Sequence, residues 1–416
     1  MTRSTVLFRR LLAVATAVLL GVTLLPAAPA AAAGSRVKPN FFGMHDFEPT
    51  SWPVAPVGAM RLWDSGVSWR QIETSPGVFD FTRLDAQVDA ARANGARVLL
   101  VLGQTPRFHS TKPRQNATYG KGAGAMPKKW AFKRYVAKVV ARYRGRGVDY
   151  QVWNEANVAG YWRGTPKQMA VLTKVAYKVV KNNDRAAKVV APAMATRLTS
   201  QRKWLRQFYA QRTGGKRVAS YVNVVSLNLY PLPKQSPEAS MSLLAASRTM
   251  LRALGVRKPI WNTEINYGLL GGGTANNISR SKEAAYVART FVLNADADVK
   301  RVFWYGWDVQ QLANTQLTNA DGTTTTRAGK AYAVTRGWLL RTRSQGCDRD
   351  RRGTYTCTFA YSGGKKRIYW NPSRKVTVRA VGSATKWVNL RGTVRRIGGG
   401  VAIGVGKQPV MVRSRR

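Results

Sequence analysis

The sequence is poor in the residues that hold metals or carry redox chemistry. Its 416 residues include two cysteines, Cys347 and Cys357, and two histidines, His45 and His109. None of these falls into a ligand-spaced cluster, which argues against a metal centre. No G-x-S-x-G elbow and no Walker loop occurs. The glycine runs GKGAGA and GLLGGG lack the strand-to-helix context of a phosphate cradle, so no motif calls for a cofactor. Acidic residues are scarce as well: 19 stand against 68 Lys and Arg, for a net charge of +49. A chain so basic attracts polyanions. Its cations are spread over the whole length without a nucleic-acid signature, so no specific nucleic acid is implied. Anionic cell-wall polymers, acidic polysaccharide or a membrane surface are the expected electrostatic partners, and a merely solvated basic surface is the alternative.

Long apolar runs are confined to the N-terminus. MTRSTVLFRR carries Arg3, Arg9 and Arg10, an apolar stretch follows from Leu11 to Leu25, and the small-residue segment APAAAAGS comes next. That order is the signature of a secretory signal peptide over 1–33, cut near Ala33. The apolar stretch is too short for a stop-transfer helix, and no later one reaches a spanning length, so no transmembrane span is expected in the mature chain. Cys347 and Cys357, close in sequence, are then expected to form one local disulfide in an oxidising compartment.

From 34 to 343, short apolar runs alternate with segments of helical period. Eight strand candidates stand out, at 40–44, 59–63, 97–102, 148–153, 188–192, 222–230, 259–264 and 301–307. A helical segment is expected after each, the last being Arg327 to Arg343. Between Trp130 and Arg144, for example, Val136, Val139, Val140 and Tyr143 share one helical face. Asn94-Gly95, Gly145 and Gly255 stand where helices should end. Eight alternations over about 300 residues predict an α/β fold, a (β/α)8 TIM barrel. The texture then changes to alternating short runs such as TYTCTFAY and KRIYWN, which predict a small C-terminal antiparallel β domain over 344–416.

In such a barrel chemistry gathers at the carboxyl ends of the strands. Only six glutamates occur: Glu48, Glu73, Glu155, Glu238, Glu264 and Glu283. Two of them, in YQVWNEAN and PIWNTEIN, end the fourth and seventh strand candidates. Glycoside hydrolysis needs two facing carboxyl groups, one protonated and one ionised, and burying two like charges together separates their pKa values in that way. Capping of the following helix is the structural alternative for Glu155.

An Asn-Glu pair after strand four with a Glu ending strand seven resembles the retaining glycoside hydrolases of clan A. The stretch RLWDSGVSWRQIETSPGVFDFTRLDAQVDAARANGARVLLVLGQTPRF is most similar to family 39 and related cellulase-type barrels. The resemblance implies Glu155 as acid/base and Glu264 as nucleophile in a double displacement. It further implies Asn154 as the contact to the sugar 2-hydroxyl, Arg61 as the cation beside the nucleophile, Tyr230 as a hydroxyl donor to it, and Trp304 or Trp307 as the aromatic platform under the ring. Many clan members carry histidine on strand three, where this chain has Gln104. A polysaccharide or oligosaccharide substrate follows, with a catalytically inactive carbohydrate-binding barrel as the alternative.

Further candidates lie near strand ends: Asp46, Glu48, Asp64 and Asp308 as hydroxyl acceptors, Tyr161 and Trp162 as sugar-stacking rings. Two long loops, Thr105 to Pro127 and LLGGGTANNIS, are expected beside the site.

Overall fold

In a β-strand successive side chains leave on opposite faces, so each barrel strand must satisfy an inner and an outer environment. The computed structural model describes residues 34–45, 52–268, 277–307, 315–319 and 323–416. Eight parallel strands form its main sheet: β1 (Phe42–His45), β2 (Ala59–Leu62), β3 (Arg97–Val101), β4 (Val148–Gln151), β5 (Val189–Val190), β6 (Val225–Asn228), β7 (Ile260–Ile265) and β8 (Arg301–Tyr305). They pair in the order β6-β7-β8-β1-β2-β3-β4-β5. Backbone bonds from Ala191 N to Val224 O (2.9 Å) and from Asn223 N to Val189 O (2.7 Å) join β5 to β6 and close the ring. All eight strand candidates are therefore present, as a TIM barrel.

Among the described residues seven helices of twelve residues or more cover the outside: α1 (Thr82–Ala93), α2 (Lys129–Arg142), α3 (Pro166–Asn183), α4 (Thr199–Ala210), α5 (Pro237–Ala253), α6 (Arg280–Asp296) and α7 (Arg327–Leu339). A helix was expected after every strand. The link from β1 to β2 has none among its described residues, where Pro53 and Pro56 lack the amide hydrogens a helix interior needs. Asn94-Gly95 and Gly255 do end α1 and α5, with Gly95 and Gly255 at φ +66° and +71°, a region that costs glycine little. Along α6 every residue from Glu283 to Ala295 is buried.

The barrel interior is layered, as alternate residues of neighbouring strands meet at one height. A middle layer of Ala59, Leu99, Val190, Val224, Trp261 and Phe303 forms its own apolar cluster. Gly43 makes room for Phe303, since a Cβ there would lie 2.6 Å from its ring. Below this layer sit Arg97, Asp149 and Arg301, and above it Arg61, Gln151, Ser226 and Thr263. The outward residues, such as Met60, Leu100, Tyr150 and Leu227, join the main core under the helices.

After α7 the chain builds antiparallel sheets. The larger runs in the order β9-β10-β11-β16-β13-β14, from Arg343–Arg349, Tyr355–Tyr361, Gly364–Trp370, Val410–Ser414, Ala384–Asn389 and Val394–Arg396. Val376–Arg379 (β12) and Ala402–Val405 (β15) pair separately. Cys347 and Cys357 face each other across β9 and β10 and are disulfide-bonded. Trp370, fully buried, stacks on Tyr355 at 4.7 Å and donates its indole N–H to Glu238 of α5 (2.8 Å). Arg289 of α6 holds the same carboxylate with two donors.

Among the described residues no helix is long and apolar enough to cross a membrane. Residues 1–33, the expected leader, lie outside the described residues, as do Asp46, Glu48, Asp308 and most of the loop LLGGGTANNIS.

Candidate active site

Arg61 on β2 is fully buried, an arrangement tolerable only where its donors meet acceptors. Nη1 donates to Glu264 Oε2 at 2.8 Å, Nη2 to Asn154 Oδ1 at 2.6 Å and Nε to Gln151 Oε1 at 2.9 Å. One planar guanidinium thus ties the end of β7 to the end of β4, a geometry that the point charge of a lysine does not supply. Tyr230, just beyond β6, donates to the other oxygen of Glu264 (3.0 Å). The side of Arg61 faces His45 Nδ1 at 3.4 Å. Burial and the neighbouring Arg61 charge keep that imidazole well below its ordinary pKa and hence neutral.

Glu264 reaches the barrel mouth because β7 bulges. Leu227 lies opposite Asn262, whereas the next residue, Asn228, lies opposite Glu264, so Thr263 is the extra residue. Trp261 and Thr263 already face inward, and strict alternation would send Glu264 outward. The bulge re-aims it.

Glu155 follows β4 with φ +40°, and Trp153 two residues earlier has φ +94°. Asp64 (φ +59°) and Gln104 (φ +52°) adopt the same left-handed region beyond β2 and β3. Each such non-glycine residue costs about 1–3 kcal/mol, and such outliers mark functional sites. The Glu155 carboxyl is pushed up to about 7, first by burial and then by the charge of Glu264. Asn228 Nδ2 donates to it at 3.1 Å and partly offsets the rise.

A continuous hydrogen-bond path links the two ends of the cluster. Arg61 donates to Gln151, whose amide donates to Ser226 Oγ (2.6 Å). Ser226 and Thr263 share a 2.6 Å bond, Thr263 donates to Asn228 Oδ1 (2.8 Å), and Asn228 donates to Glu155. Since Thr263 spends its proton on Asn228, Ser226 is the donor between the hydroxyls. Every bond in the path therefore runs towards Glu155. Gln151, Ser226, Thr263 and Asn228 were not singled out from the sequence; their signal was polarity at inward positions of otherwise apolar strands.

Other expected residues divide. Asp64 joins the mouth, bonded to Tyr119 from the loop after β3 and facing Tyr305 Oη at 3.4 Å. Burial raises its carboxyl to about 6. Gln104 is buried and accepts from Ser68 (3.2 Å). Asp64, Gln104, Tyr119, Arg70 and Gln71 line one cavity of about 430 Å³. Tyr161 is half-buried against Tyr119, 5.7 Å between rings.

The expected aromatic platform is corrected. Trp304 points outward from β8 into the core, near Phe291 and Tyr267, and its indole donates to Thr315 O at 3.3 Å. Trp307 is fully buried within the main core and offers no open face. Tyr305 occupies the inward position instead, its ring 4.5 Å from His45. Trp162, expected as a sugar-stacking ring, packs edge-on against Trp153 at 5.0 Å and is buried. His109 lies apart, bonded to buried Glu73 at 3.0 Å. Among the described residues no group of three or more His, Cys, Asp or Glu could hold a metal ion.

The chain is similar to known proteins in sequence over part of its length and in fold over most of it. Residues 134–332 match the family model described as a glycosyl hydrolase catalytic core. No curated protein matches the chain. Among solved structures, a family 39 glycoside hydrolase from Bacteroides cellulosilyticus WH2 is similar at TM-score 0.71, with 16% identity over 91% of this chain and 81% of that one. A GH39 β-xylosidase from Caulobacter crescentus gives 0.65, with 15% identity over 92% and 98%. A GH30 endoxylanase from Clostridium papyrosolvens C71 gives 0.63, with 11% identity over 93% and 98%. At such identities the likeness shows the fold.

Proposed function

We propose that the chain is a glycoside hydrolase that cleaves O-glycosidic bonds of a polysaccharide or oligosaccharide with net retention, a reading supported by the match of residues 134–332 to a glycosyl hydrolase catalytic core. Glu264 attacks the anomeric carbon while Glu155 gives its proton to the departing oxygen. The bond to the leaving group breaks as the ester to Glu264 forms. Water then attacks the same anomeric carbon, Glu155 takes the water's proton, and the bond from that carbon to the Glu264 oxygen breaks, which restores the carboxylate.

The observation that carries the reading is the asymmetry of the two carboxyls. Glu264 receives Arg61 and Tyr230 on its two oxygens, while Glu155 is lifted to about 7, so that a large share of it carries its proton at neutral pH. Esterification removes the charge of Glu264, and with it the second cause of that rise. Glu155 then becomes a better base for the second step. Because Arg61 occupies Oδ1 of Asn154, the Asn154 amide N–H groups remain for the sugar 2-hydroxyl.

Proton NMR of the first product tests the stereochemistry: the released sugar should keep the substrate's anomeric configuration, and inversion would overturn the mechanism. A 2-deoxy-2-fluoro glycoside with a good leaving group should label the peptide bearing Glu264. The inactive-barrel alternative is not favoured, because both carboxyls and their donors are in place. We also read 1–33 as a leader cleaved after Ala33, with 34–343 as the catalytic barrel and 344–416 as the β domain of a secreted protein held electrostatically on anionic wall polymers. N-terminal sequencing of protein recovered from the medium should then begin at Gly34.

A further inference from the structure

Beside the candidate nucleophile, on the β5–β7 side of the mouth, lies a small pocket lined by Arg197, Tyr230, Lys234, Asn266, Lys282 and other residues of the same loops. Three cations, Arg197, Lys234 and Lys282, line it, and among its described lining residues none is acidic. Arg197 follows β5, is half-buried, and lays its guanidinium over the Tyr230 ring at 5.7 Å. Lys282, at the start of α6, lies over Tyr286 at 5.4 Å. Among the described residues none of the three is ion-paired, whereas Arg61, Arg289 and Arg301, buried elsewhere in the barrel, all are. Tyr230, which lines the pocket, also donates to Glu264, so the pocket adjoins the candidate nucleophile.

Like charges gathered in a partly desolvated recess repel one another, and a bound anion relieves the cost. The space amounts to about 30 Å³, room for a carboxylate or sulfate group while the sugar ring stays in the cleft. An aromatic ring beneath a guanidinium fixes the fork that binds such a group with two parallel bonds.

We propose that this pocket binds the anionic substituent of an acidic sugar, so that the enzyme acts on uronic-acid or sulfated glycans in preference to neutral ones, with Arg197 as the specificity-determining residue. This rests on the hydrolase reading above and names its substrate class.

The test uses the full chain on matched polymers: polygalacturonate, glucuronoxylan and hyaluronan against their carboxyl-reduced forms, and chondroitin sulfate against its desulfated form. Release of reducing ends should be faster on at least one acidic member than on its neutral partner, and the pair that differs tells carboxylate from sulfate. In Arg197→Gln the acidic-to-neutral ratio of kcat/KM should fall by about 10- to 100-fold, the loss of one charged hydrogen-bond pair. Lys407→Gln, which removes the same charge from the exposed C-terminal sheet, should keep the wild-type ratio, since steering by net charge is shared by both variants. Equal rates on acidic and neutral partners, or a ratio equal in Arg197→Gln and wild type, would overturn the pocket's role while leaving hydrolysis intact. No cleavage of any glycan or aryl glycoside by the wild type would instead refute the hydrolase reading.

Discussion

The barrel holds a buried guanidinium–carboxylate cluster at each end. At the amino ends of the strands Asp149 accepts from Arg97 (2.9 Å), Arg301 (3.0 Å) and the Lys188 backbone (2.9 Å), while Arg301 lies 3.9 Å over Trp261. Burial lowers Arg301 only to about 10, so it stays charged at neutral pH. The carboxyl-end cluster has the same kind of pair, Arg61 with Glu264, yet beside it stands a second carboxyl held near 7 and four residues in left-handed backbone. A buried ion pair by itself marks no chemistry. What separates the ends is the mismatch at the mouth, a carboxyl placed where its charged form is unwelcome.

Substitutions at the two ends should therefore fail in different ways. Glu264→Gln should lower kcat by about 10⁴-fold or more and leave the thermal transition near that of the wild type; substantial residual turnover would dissolve the distinction. Asp149→Ala should do the reverse, costing about 3–5 kcal/mol of stability in urea unfolding because it strands Arg301, with kcat per folded molecule within a few-fold of normal.

Glu155→Gln sharpens the contrast through pH. A folded-state carboxyl raised from its ordinary value of 4.5 to about 7 lets the folded state hold a proton that the unfolded chain has lost. Stability therefore falls as pH rises through that window, and the full cost is present above it. The variant should be more stable than the wild type by about 1–3 kcal/mol at pH 8, with the gain vanishing below pH 4.5. Wild-type kcat/KM should decline above pH 7. The smallest effect belongs to Asn228→Ala, which removes a donor that favours ionised Glu155; the alkaline limb should move up by about half a unit to one unit. A downward shift would contradict the direction of that bond.

The strands were legible because parallel barrel strands are apolar on both faces and stand out as short runs between helical segments. The two candidate carboxyls were legible because glutamates are few, and two of them end strands. Tyr230 and Arg61 came from the resemblance, and the structure brings both to Glu264. The path through Gln151, Ser226, Thr263 and Asn228 was not legible, since single polar residues inside apolar strands look like ordinary core substitutions until alternation assigns them a common layer. Alternation also explains the platform: Phe303 and Tyr305 face inward and Trp304 outward, so the larger ring drew attention to the wrong side of β8. The bulge at Thr263 works against the same rule, and position at a strand end found Glu264 where alternation would have dismissed it.

The contact between Glu238, Arg289 and Trp370 bears on modularity. The C-terminal sheets would look in sequence like an interchangeable appendage, yet an indole from that region completes the coordination of a carboxylate rooted in the barrel's own helices. A chimera joined after α7 would inherit that vacancy together with an uncovered flank of α6. Any grafted partner would need to bring its own donor to Glu238, so the unit that can be transplanted is the barrel and its sheets together.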